Sequence, residues 1–295
     1  MRIIILTHDN DRHYYFCNQI IENKNNVVGV ITGGKQINKT ITKREKFYKL
    51  IKSNELLNYF KNRFLNLCFR KYGKAFDKEK EVAENNFFNG AEKHFSQNYN
   101  HLLMTKVKSQ HRSINDSYYV SLIQEQKPDI IIVMGTCLIG KKIIESAKHV
   151  INLHTGLSPY YRGGATNAWP IVEEDPNMFG VTVHEMSLGI DVGNIIFTNQ
   201  PEINKNDNYG TINCKCIQLG TKKVIESIKN IEKNSLHSIK QWTSGKLFFN
   251  KDWNNYVAYQ YFKKKERVIL QSLKNIEKQS LPKICLINNG KKCDV

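Results

Sequence analysis

The sequence contains no apolar run near the roughly 20 residues that a membrane-spanning helix requires. The first apolar run ends at Leu6, too early for a secretory signal peptide. The seven cysteines follow no repeating spacing, and Cys214 and Cys216 are too close together and too isolated for a zinc knuckle. We therefore expect a cytoplasmic protein in a reducing compartment, with no membrane partner and no bound metal.

The sequence also lacks internal repeats, low-complexity linkers and a dinucleotide-binding fingerprint. Gly33 and Gly34 follow the second apolar run rather than the first and do not form GxGxxG, which argues against an NAD site. Lysine and arginine outnumber aspartate and glutamate by 44 to 27, a formal net charge of +17. This charge favours an anionic partner, either nucleic acid or a phosphorylated metabolite, although scattered basic residues also fit an ordinary solvated surface.

Short apolar runs alternate with amphipathic segments along most of the chain. This alternation predicts an α/β fold with a doubly wound, mostly parallel, Rossmann-like sheet. Residues 129–134 are almost wholly apolar after the first position and are expected at the centre of the sheet. The other predicted strands are residues 3–6, 27–31, 102–107, 150–153 and 180–186. The predicted helices among them are residues 14–21, 115–126, 141–147 and 208–230.

A helical insertion at about residues 40–98 interrupts the alternation. One helix is predicted within 43–70 and a weaker one within 81–95. The insertion could cap the active site, form the interface of a homodimer or pack on the sheet edge. We expect a catalytic domain over residues 1–235 and a small extension over 236–295. The extension is predicted to hold a hairpin at 242–253, a basic amphipathic helix at 255–273 and a loose end.

Three polar residues stand out near the strand predicted at 150–153. Asn152 and His154 are two residues apart on a strand, so their side chains point to the same face. Asp191 lies between Gly189 and Gly193, which allow a tight turn. An Asp191 that reaches His154 would favour the imidazolium and raise the pKa of His154. Such a set suits acyl transfer, because Asn and His can stabilise an oxyanion while Asp handles protons.

Each of these residues also has a structural explanation, since a histidine at a strand end is commonly structural and an aspartate between glycines is commonly a turn. A hydrolase is disfavoured because residues 156–160 lack the second glycine of a nucleophile elbow and Pro159 would obstruct the following helix. A metal site is disfavoured because His154, His184 and Asp191 follow no ligand-spaced motif. His184 could be a satisfied core residue.

The stretch resembles the folate-dependent formyltransferases, a family that includes methionyl-tRNA, phosphoribosylglycinamide and sugar N-formyltransferases. The resemblance rests on Asn152-Leu-His154-Thr-Gly-Leu-Ser-Pro-Tyr-Tyr-Arg162-Gly163, on Gly-Val-Thr-Val-His at 180–184 and on Asp191-Val-Gly193. These elements occur in the order and spacing of the family. The resemblance extends over residues 102–231 and, more loosely, over the opening β-α-β unit, and it leaves out residues 43–95.

The resemblance implies that an acceptor amine attacks the formyl carbon of 10-formyltetrahydrofolate. Asn152 and His154 would polarise the formyl oxygen, and Asp191 would assist proton removal. The folate would lie between two loops, formed by Met134, Gly135, Thr136, Cys137, Leu138 and Ile139 and by Ser187, Leu188, Gly189 and Ile190. Relatives often carry arginine where Cys137 stands, which leaves that single contact in doubt.

The Tyr-Arg-Gly after Pro159 resembles the sugar and tRNA branches more than the purine branch. About 60 residues follow Ile231, too few and too helical for the C-terminal β-barrel that a methionyl-tRNA enzyme would carry. We therefore expect a nucleotide-linked amino sugar as acceptor, such as a dTDP- or GDP-4-amino-4,6-dideoxyhexose of lipopolysaccharide O-antigen biosynthesis. Arg12, Arg162 and Gly163 are the expected acceptor contacts. A tRNA acceptor, or non-catalytic nucleotide binding on the same fold, remains the alternative.

Overall fold

A six-stranded sheet forms the centre of the computed structural model, which describes residues 1–33, 56–105, 113–277 and 284–293. The strands are β1 (Ile3–Thr7), β2 (Val27–Thr32), β3 (Ile130–Met134), β4 (His149–His154), β6 (Val181–Glu185) and β7 (Ile195–Asn199). They stand in the order β2-β1-β3-β4-β6-β7; the first four are parallel, and β6 and β7 each pair antiparallel with the strand before them. The predicted mostly parallel α/β fold is confirmed, with β3 inside the sheet.

Helices cover both faces of this sheet. They are α1 (Asp11–Glu22), α2 (Leu56–Cys68), α3 (Arg70–Phe88), α4 (Ala91–Asn98), α5 (Ser117–Glu125), α6 (Lys141–Ile144), α7 (Trp169–Val172), α8 (Tyr209–Glu232) and α9 (Asn255–Glu277). Ile130 and Ile132 belong to the core formed with α1 and α8, whereas Ile131 and Val133 belong to the core formed with α5 and α6. Because both faces of β3 are buried, its sequence is continuously apolar. Among the described helices, none is long and apolar enough to cross a membrane.

The described part of the insertion is helical and packs on the other helices. α3 contacts α8 and α9, and α4 contacts α1. The Tyr261 hydroxyl of α9 donates to Glu79 of α3 (2.8 Å) and accepts from the N–H of Tyr209 at the start of α8 (2.9 Å). The single helix predicted at 81–95 is interrupted, since Gly90 has a left-handed backbone between α3 and α4. Residues 43–55 of the other predicted helix lie outside the described residues.

The strand predicted at 102–107 is wrong where the structure describes it. Residues 100–102 form a 3₁₀ turn, and Leu103 makes one isolated bridge to Val30 of β2. The next hydrogen bond to β2 runs from the N–H of Thr32 to the Thr105 hydroxyl (2.8 Å), so a side chain replaces the backbone partner that a strand would supply. Residues 106 and 107 lie outside the described residues.

The hairpin predicted at 242–253 is also wrong. β8 (Lys246–Phe248) pairs in parallel with β5 (Tyr161–Gly163). Aromatic packing favours this distant partner, because the Phe248 ring stacks on Trp169 at 4.1 Å between centroids and on Tyr161 at 5.8 Å. The helix predicted at 255–273 is confirmed as α9.

The chain end predicted to be loose is ordered over its described residues. β9 (Leu286–Asn288) and β10 (Lys291–Cys293) form a hairpin around Asn289 and Gly290, both at positive φ. The Asn-Gly pair is a strong hairpin signal that sequence reasoning overlooked. Ile287 donates its N–H to the Thr198 hydroxyl of β7 (2.7 Å), which ties the hairpin to the edge of the sheet.

Candidate active site

Asn152, His154 and Asp191 come together at the carboxyl end of β4. Asn152 and His154 lie on one face of this strand. Ile151 and Leu153 point to the opposite face and belong to the core beneath α8. The Asp191 carboxylate lies 3.3 Å from His154 Nδ1 and 3.5 Å from Asn152 Nδ2. His154 is 7% exposed and Asp191 13%. The structure thus assembles the three residues that the sequence singled out.

Asp191 reaches this position because its loop turns back along the sheet. β6 runs antiparallel to β4, so Glu185 at its end pairs with Ile151 rather than with His154. Residues 186–194 return toward His154, and Asp191 adopts a left-handed backbone with φ +50°. Gln241 Nε2 donates to the Asp191 carbonyl (2.8 Å) and to the Gly193 carbonyl (2.9 Å), which holds the loop in place.

The surroundings of His154 favour the uncharged imidazole. Burial lowers its pKa, and the opposing effect of Asp191 does not overcome that desolvation, so the expected rise in the pKa of His154 is wrong. Its Nε2 faces the Tyr161 carbonyl at 3.2 Å and must donate to it. The Nδ1 atom therefore faces Asp191 and is the position through which this ring can exchange a proton.

Asp191 is a buried carboxylate held in its charged form. Burial by itself would raise its pKa, but the positive charge that His154 carries at acidic pH and the N–H of Gly163 (2.9 Å) outweigh burial and hold the pKa of Asp191 well below its usual range. An ionised carboxylate beside an uncharged imidazole can accept a proton during a reaction.

His184 completes the cluster, and sequence reasoning left it as a core residue. It pairs with Asn152 across β4 and β6 and is 1% exposed. Its Nδ1 donates to the Glu185 carbonyl (2.7 Å), so Nε2 accepts from Asn152 Nδ2 (3.1 Å). This contact orients the Asn152 amide. The missing information was the antiparallel register of β6, which places His184 directly opposite Asn152.

A cleft of about 830 Å³ passes over the carboxyl edge of the sheet beside this cluster. We call one half the loop arm, lined by residues 134–139, Met186 and residues 189–191. Residues 134–139, the first predicted folate loop, all line this arm. Of the second predicted folate loop, Gly189 and Ile190 line it, whereas Ser187 and Leu188 do not. Thr136 Oγ1 is buried without a hydrogen-bond partner among the described residues. A polar ligand in this arm would satisfy it.

The other half, which we call the aromatic arm, is formed mainly by helices and by the C-terminal segment. Its rings are Phe76, Tyr209, Phe248 and Trp253, and Gly163 lies beside them. Two cations also line the cleft: Arg12, which pairs with Glu84 at 2.7 Å, and Lys80. Arg162, a predicted acceptor contact, is not among the described residues that line the cleft. It is 8% exposed, and its guanidinium donates to the Ile190 carbonyl at 3.4 Å. The described residues contain no cluster of His, Cys, Asp and Glu that could hold a metal.

The fold and the site define an α/β protein of Rossmann-like topology with its ligand cleft beyond the carboxyl ends of the parallel strands. The chain belongs to the formyl transferase family, whose model matches residues 80–228, half of the sequence. The match begins earlier than the resemblance predicted, because it includes residues 80–95 of the insertion. Its end lies three residues before the predicted limit at Ile231.

Known proteins similar to this chain include methionyl-tRNA, sugar N- and phosphoribosylglycinamide formyltransferases. A methionyl-tRNA formyltransferase of Alkaliphilus oremlandii is 31% identical over 134 residues, 45% of this chain and 43% of that protein. The chain thus spans less than half the length of this curated relative. A sugar N-formyltransferase of a Shewanella species has a similar fold, with TM-score 0.54 and 14% identity over 100% of this chain and 96% of that one. An N-formyltransferase of Helicobacter canadensis, solved with folinic acid and dTDP-3-aminofucose, also has a similar fold, with TM-score 0.54 and 19% identity. The match covers 90% of this chain and 82% of that one.

Proposed function

We propose that this protein transfers a formyl group from 10-formyltetrahydrofolate to the amino group of a nucleotide-linked amino sugar. One observation carries the proposal: Asn152, His154 and Asp191 converge within 3.5 Å at the place where the two arms of the cleft meet. A donor in one arm and an acceptor in the other would present their reacting atoms to these three side chains.

The loop arm suits the folate donor, which supplies an activated one-carbon group. Residues 134–139 offer main-chain groups, and Thr136 Oγ1 offers an unsatisfied hydroxyl. Gly135 lines the same arm and has φ +67°, a conformation that favours glycine. Cys137 lines the same arm, so the residue that differs from many relatives stays at the expected position.

Asn152 and His154 stabilise the charge that develops on the formyl oxygen. The Asn152 amide is oriented by His184 and donates through Nδ2. The proton that Asp191 accepts from the acceptor amine can be shared with His154 Nδ1, 3.3 Å away, which makes Nδ1 a donor until the proton returns through Asp191. The Tyr161 carbonyl holds the opposite ring nitrogen meanwhile. Negative charge beside a buried, uncharged imidazole raises its proton affinity, so the lowered pKa of the resting ring does not oppose this role.

Asp191 receives the proton that the acceptor amine releases as the new carbon–nitrogen bond forms. The proton then passes to the folate nitrogen whose bond to the formyl carbon breaks, so charge and atoms balance. The low pKa of Asp191 keeps the carboxylate ionised and ready as the acceptor of this proton.

The aromatic arm suits a nucleotide sugar. Aromatic rings pack on sugar and base faces, and Arg12 and Lys80 provide positive charge for a diphosphate. Glu84 neutralises part of the Arg12 charge. Gly163 lies at the junction of the arms, and Arg162 supports Ile190 of the loop arm from below the surface. The folds of two sugar N-formyltransferases, matched over 82–96% of their lengths, support this choice.

A tRNA acceptor is the second candidate. The similar methionyl-tRNA formyltransferase and the net charge of +17 favour it. Binding to tRNA would weaken steeply with added salt, because phosphate contacts release counterions.

The test is formyl transfer from 10-formyltetrahydrofolate to a panel of dTDP-, GDP- and UDP-linked 3-amino and 4-amino sugars and to methionyl-tRNA. We expect turnover with a nucleotide sugar and loss of about 100-fold or more in His154→Ala. His149→Ala, at the opposite end of β4 and outside the cleft lining, is the matched control and should retain activity. Turnover of methionyl-tRNA alone, or full activity in His154→Ala, would refute the proposal.

A further inference from the structure

Three hydrogen bonds connect the two arms of the cleft through His13, a residue without a role in the reaction described above. His13 lies in α1, is 1% exposed and lines the cleft. Arg12 Nε lies 3.1 Å from His13 Nε2, and His13 Nδ1 lies 2.6 Å from Thr7 Oγ1. Thr7 Oγ1 in turn lies 3.0 Å from the Met134 carbonyl at the end of β3. We call these four residues the relay.

The direction of each hydrogen bond in the relay follows from chemistry. A guanidinium only donates, so His13 Nε2 accepts from Arg12. A carbonyl only accepts, so the Thr7 hydroxyl donates to Met134. The hydrogen between Thr7 and His13 must therefore sit on Nδ1. One tautomer of an uncharged ring satisfies all three contacts.

The surroundings of His13 keep the ring uncharged. Burial lowers its pKa well below 6.5, and the positive charges of Arg12, His8 and Lys80 act in the same direction. The His8 ring lies 5.7 Å away and edge-on. Glu84, the carboxylate beside Arg12, is held by Arg12 at 2.7 Å and by Lys80 at 3.9 Å.

The two ends of the relay lie at different parts of the cleft. Arg12 lines the cleft, as do Lys80 and the rings of the aromatic arm. Met134 precedes Gly135, and a Cβ on Gly135 would lie 2.6 Å from His13 Cε1. The His13 ring therefore packs directly against the turn that opens the loop arm.

We propose that His13 is a positioning residue that sets the Arg12 guanidinium and the Gly135 turn relative to each other. The acceptor, bound through its phosphate to Arg12, and the folate ring, bound at the Gly135 turn, would then both be correctly placed relative to the three reacting side chains. This inference rests on the proposed function for the identity of the two ligands, whereas the relay itself is defined by the protein alone.

Two substitutions separate the halves of the relay. His13→Asn places an amide N–H near the position of Nδ1, which keeps the donor to Thr7 and removes the acceptor for Arg12. His13→Gln places an amide oxygen near the position of Nε2, which keeps the acceptor for Arg12 and removes the donor to Thr7. We expect His13→Asn to raise the KM of the nucleotide sugar about fivefold and leave the KM of the folate nearly unchanged, and His13→Gln to do the reverse. Equal effects of both variants on both KM values would overturn the proposal.

The tautomer gives a second measurement that needs no substrate. In ¹⁵N-histidine-labelled protein, with His13→Gln used for assignment, the His13 ring should carry its hydrogen on Nδ1 from pH 8 down to about 5.5. A hydrogen on Nε2, or titration near the ordinary histidine pKa of about 6.5, would refute the relay. Absence of turnover on every acceptor would instead count against the proposed function, and the tautomer would still decide the relay.

Discussion

Asp191 shows how the environment of one residue prepares it for chemistry. Its backbone is left-handed, a strained conformation for a residue with a side chain, and its carboxylate is almost fully buried. The N–H of Gly163 donates to this carboxylate at 2.9 Å, and the Asn152 amide lies 3.5 Å from it. Strain and burial both oppose this arrangement, so its presence beside Asn152 is best explained by a function that requires an ionised carboxylate there.

Asp191→Asn tests this role at the residue scale. The substitution keeps the shape of the side chain but removes the charge that accepts the proton, so we expect turnover to fall by about 10²–10⁴-fold. Binding of a folate analogue, measured by calorimetry, should change little, because the loop arm is otherwise intact. Glu185→Gln, a carboxylate nearby but outside the cleft lining, is the control. Full turnover in Asp191→Asn would exclude the assigned role.

At the scale of elements, two short strands position the main-chain groups of the site. β5 provides the Tyr161 carbonyl for His154 and the Gly163 N–H for Asp191. β8 holds β5 by parallel pairing and by the ring of Phe248, which also faces the cleft. The C-terminal segment therefore shapes the centre of the site as well as the aromatic arm.

The loop at residues 186–194 is the second element on which the site depends, and Gly193 is its critical residue. A Cβ at this position would lie 1.6 Å from the Glu185 carbonyl oxygen and 3.2 Å from His184 Nδ1. Gly193→Ala must therefore displace the loop and Asp191 with it. We expect turnover to fall more than tenfold and the free energy of unfolding to fall by about 1–3 kcal/mol.

Kinetics and urea denaturation measure the two effects. Val192→Ala, which shortens a 41% exposed side chain in the same loop, is the matched control and should behave like the parent protein. If Gly193→Ala were as active and as stable as Val192→Ala, the close approach of the loop to β6 would be refuted.

At the scale of the whole molecule, buried uncharged histidines make stability depend on pH. The pKa values of His13 and His154 are lowered, in both cases chiefly by burial. Below about pH 6.5 both histidines bind a proton in the unfolded chain but remain unprotonated in the folded protein. The free energy of unfolding therefore falls as the pH drops through this range. Asp191 adds nothing to the pH dependence in this range, because its carboxylate is ionised in both the folded and the unfolded protein. Its stabilising contribution is lost only below about pH 4.

Urea denaturation between about pH 7.5 and 5.5 measures this dependence. We expect each histidine that stays uncharged in the fold to contribute about 1.4 kcal/mol in total over this range, most of it below about pH 6.5. His13→Gln should lower the pH dependence by one such contribution. The same pH dependence in the parent protein and in His13→Gln would show that His13 is protonated in the folded protein.

Local sequence patterns were sufficient to predict the positions of single strands and helices and the face on which a side chain lies. The apolar run of β3 identified the inner strand, and the spacing of Asn152 and His154 placed them on one face. The helix predicted at residues 115–126 is found as α5, where the Asp116 carboxylate accepts from the N–H of Tyr118 at 2.9 Å. Such patterns reflect backbone periodicity and local hydrogen bonding, which are encoded within a few residues.

Contacts between groups far apart in the sequence follow from the packing of the whole fold. The antiparallel register of β6 brings His184 to Asn152, the pairing of β8 with β5 replaces a local hairpin, and the relay joins Arg12 to Met134, 122 positions apart. These contacts depend on the packing of the whole core, and several registers of β6 would satisfy the same local pattern. Burial likewise reversed the expected shift in the pKa of His154, because desolvation is set by the complete fold.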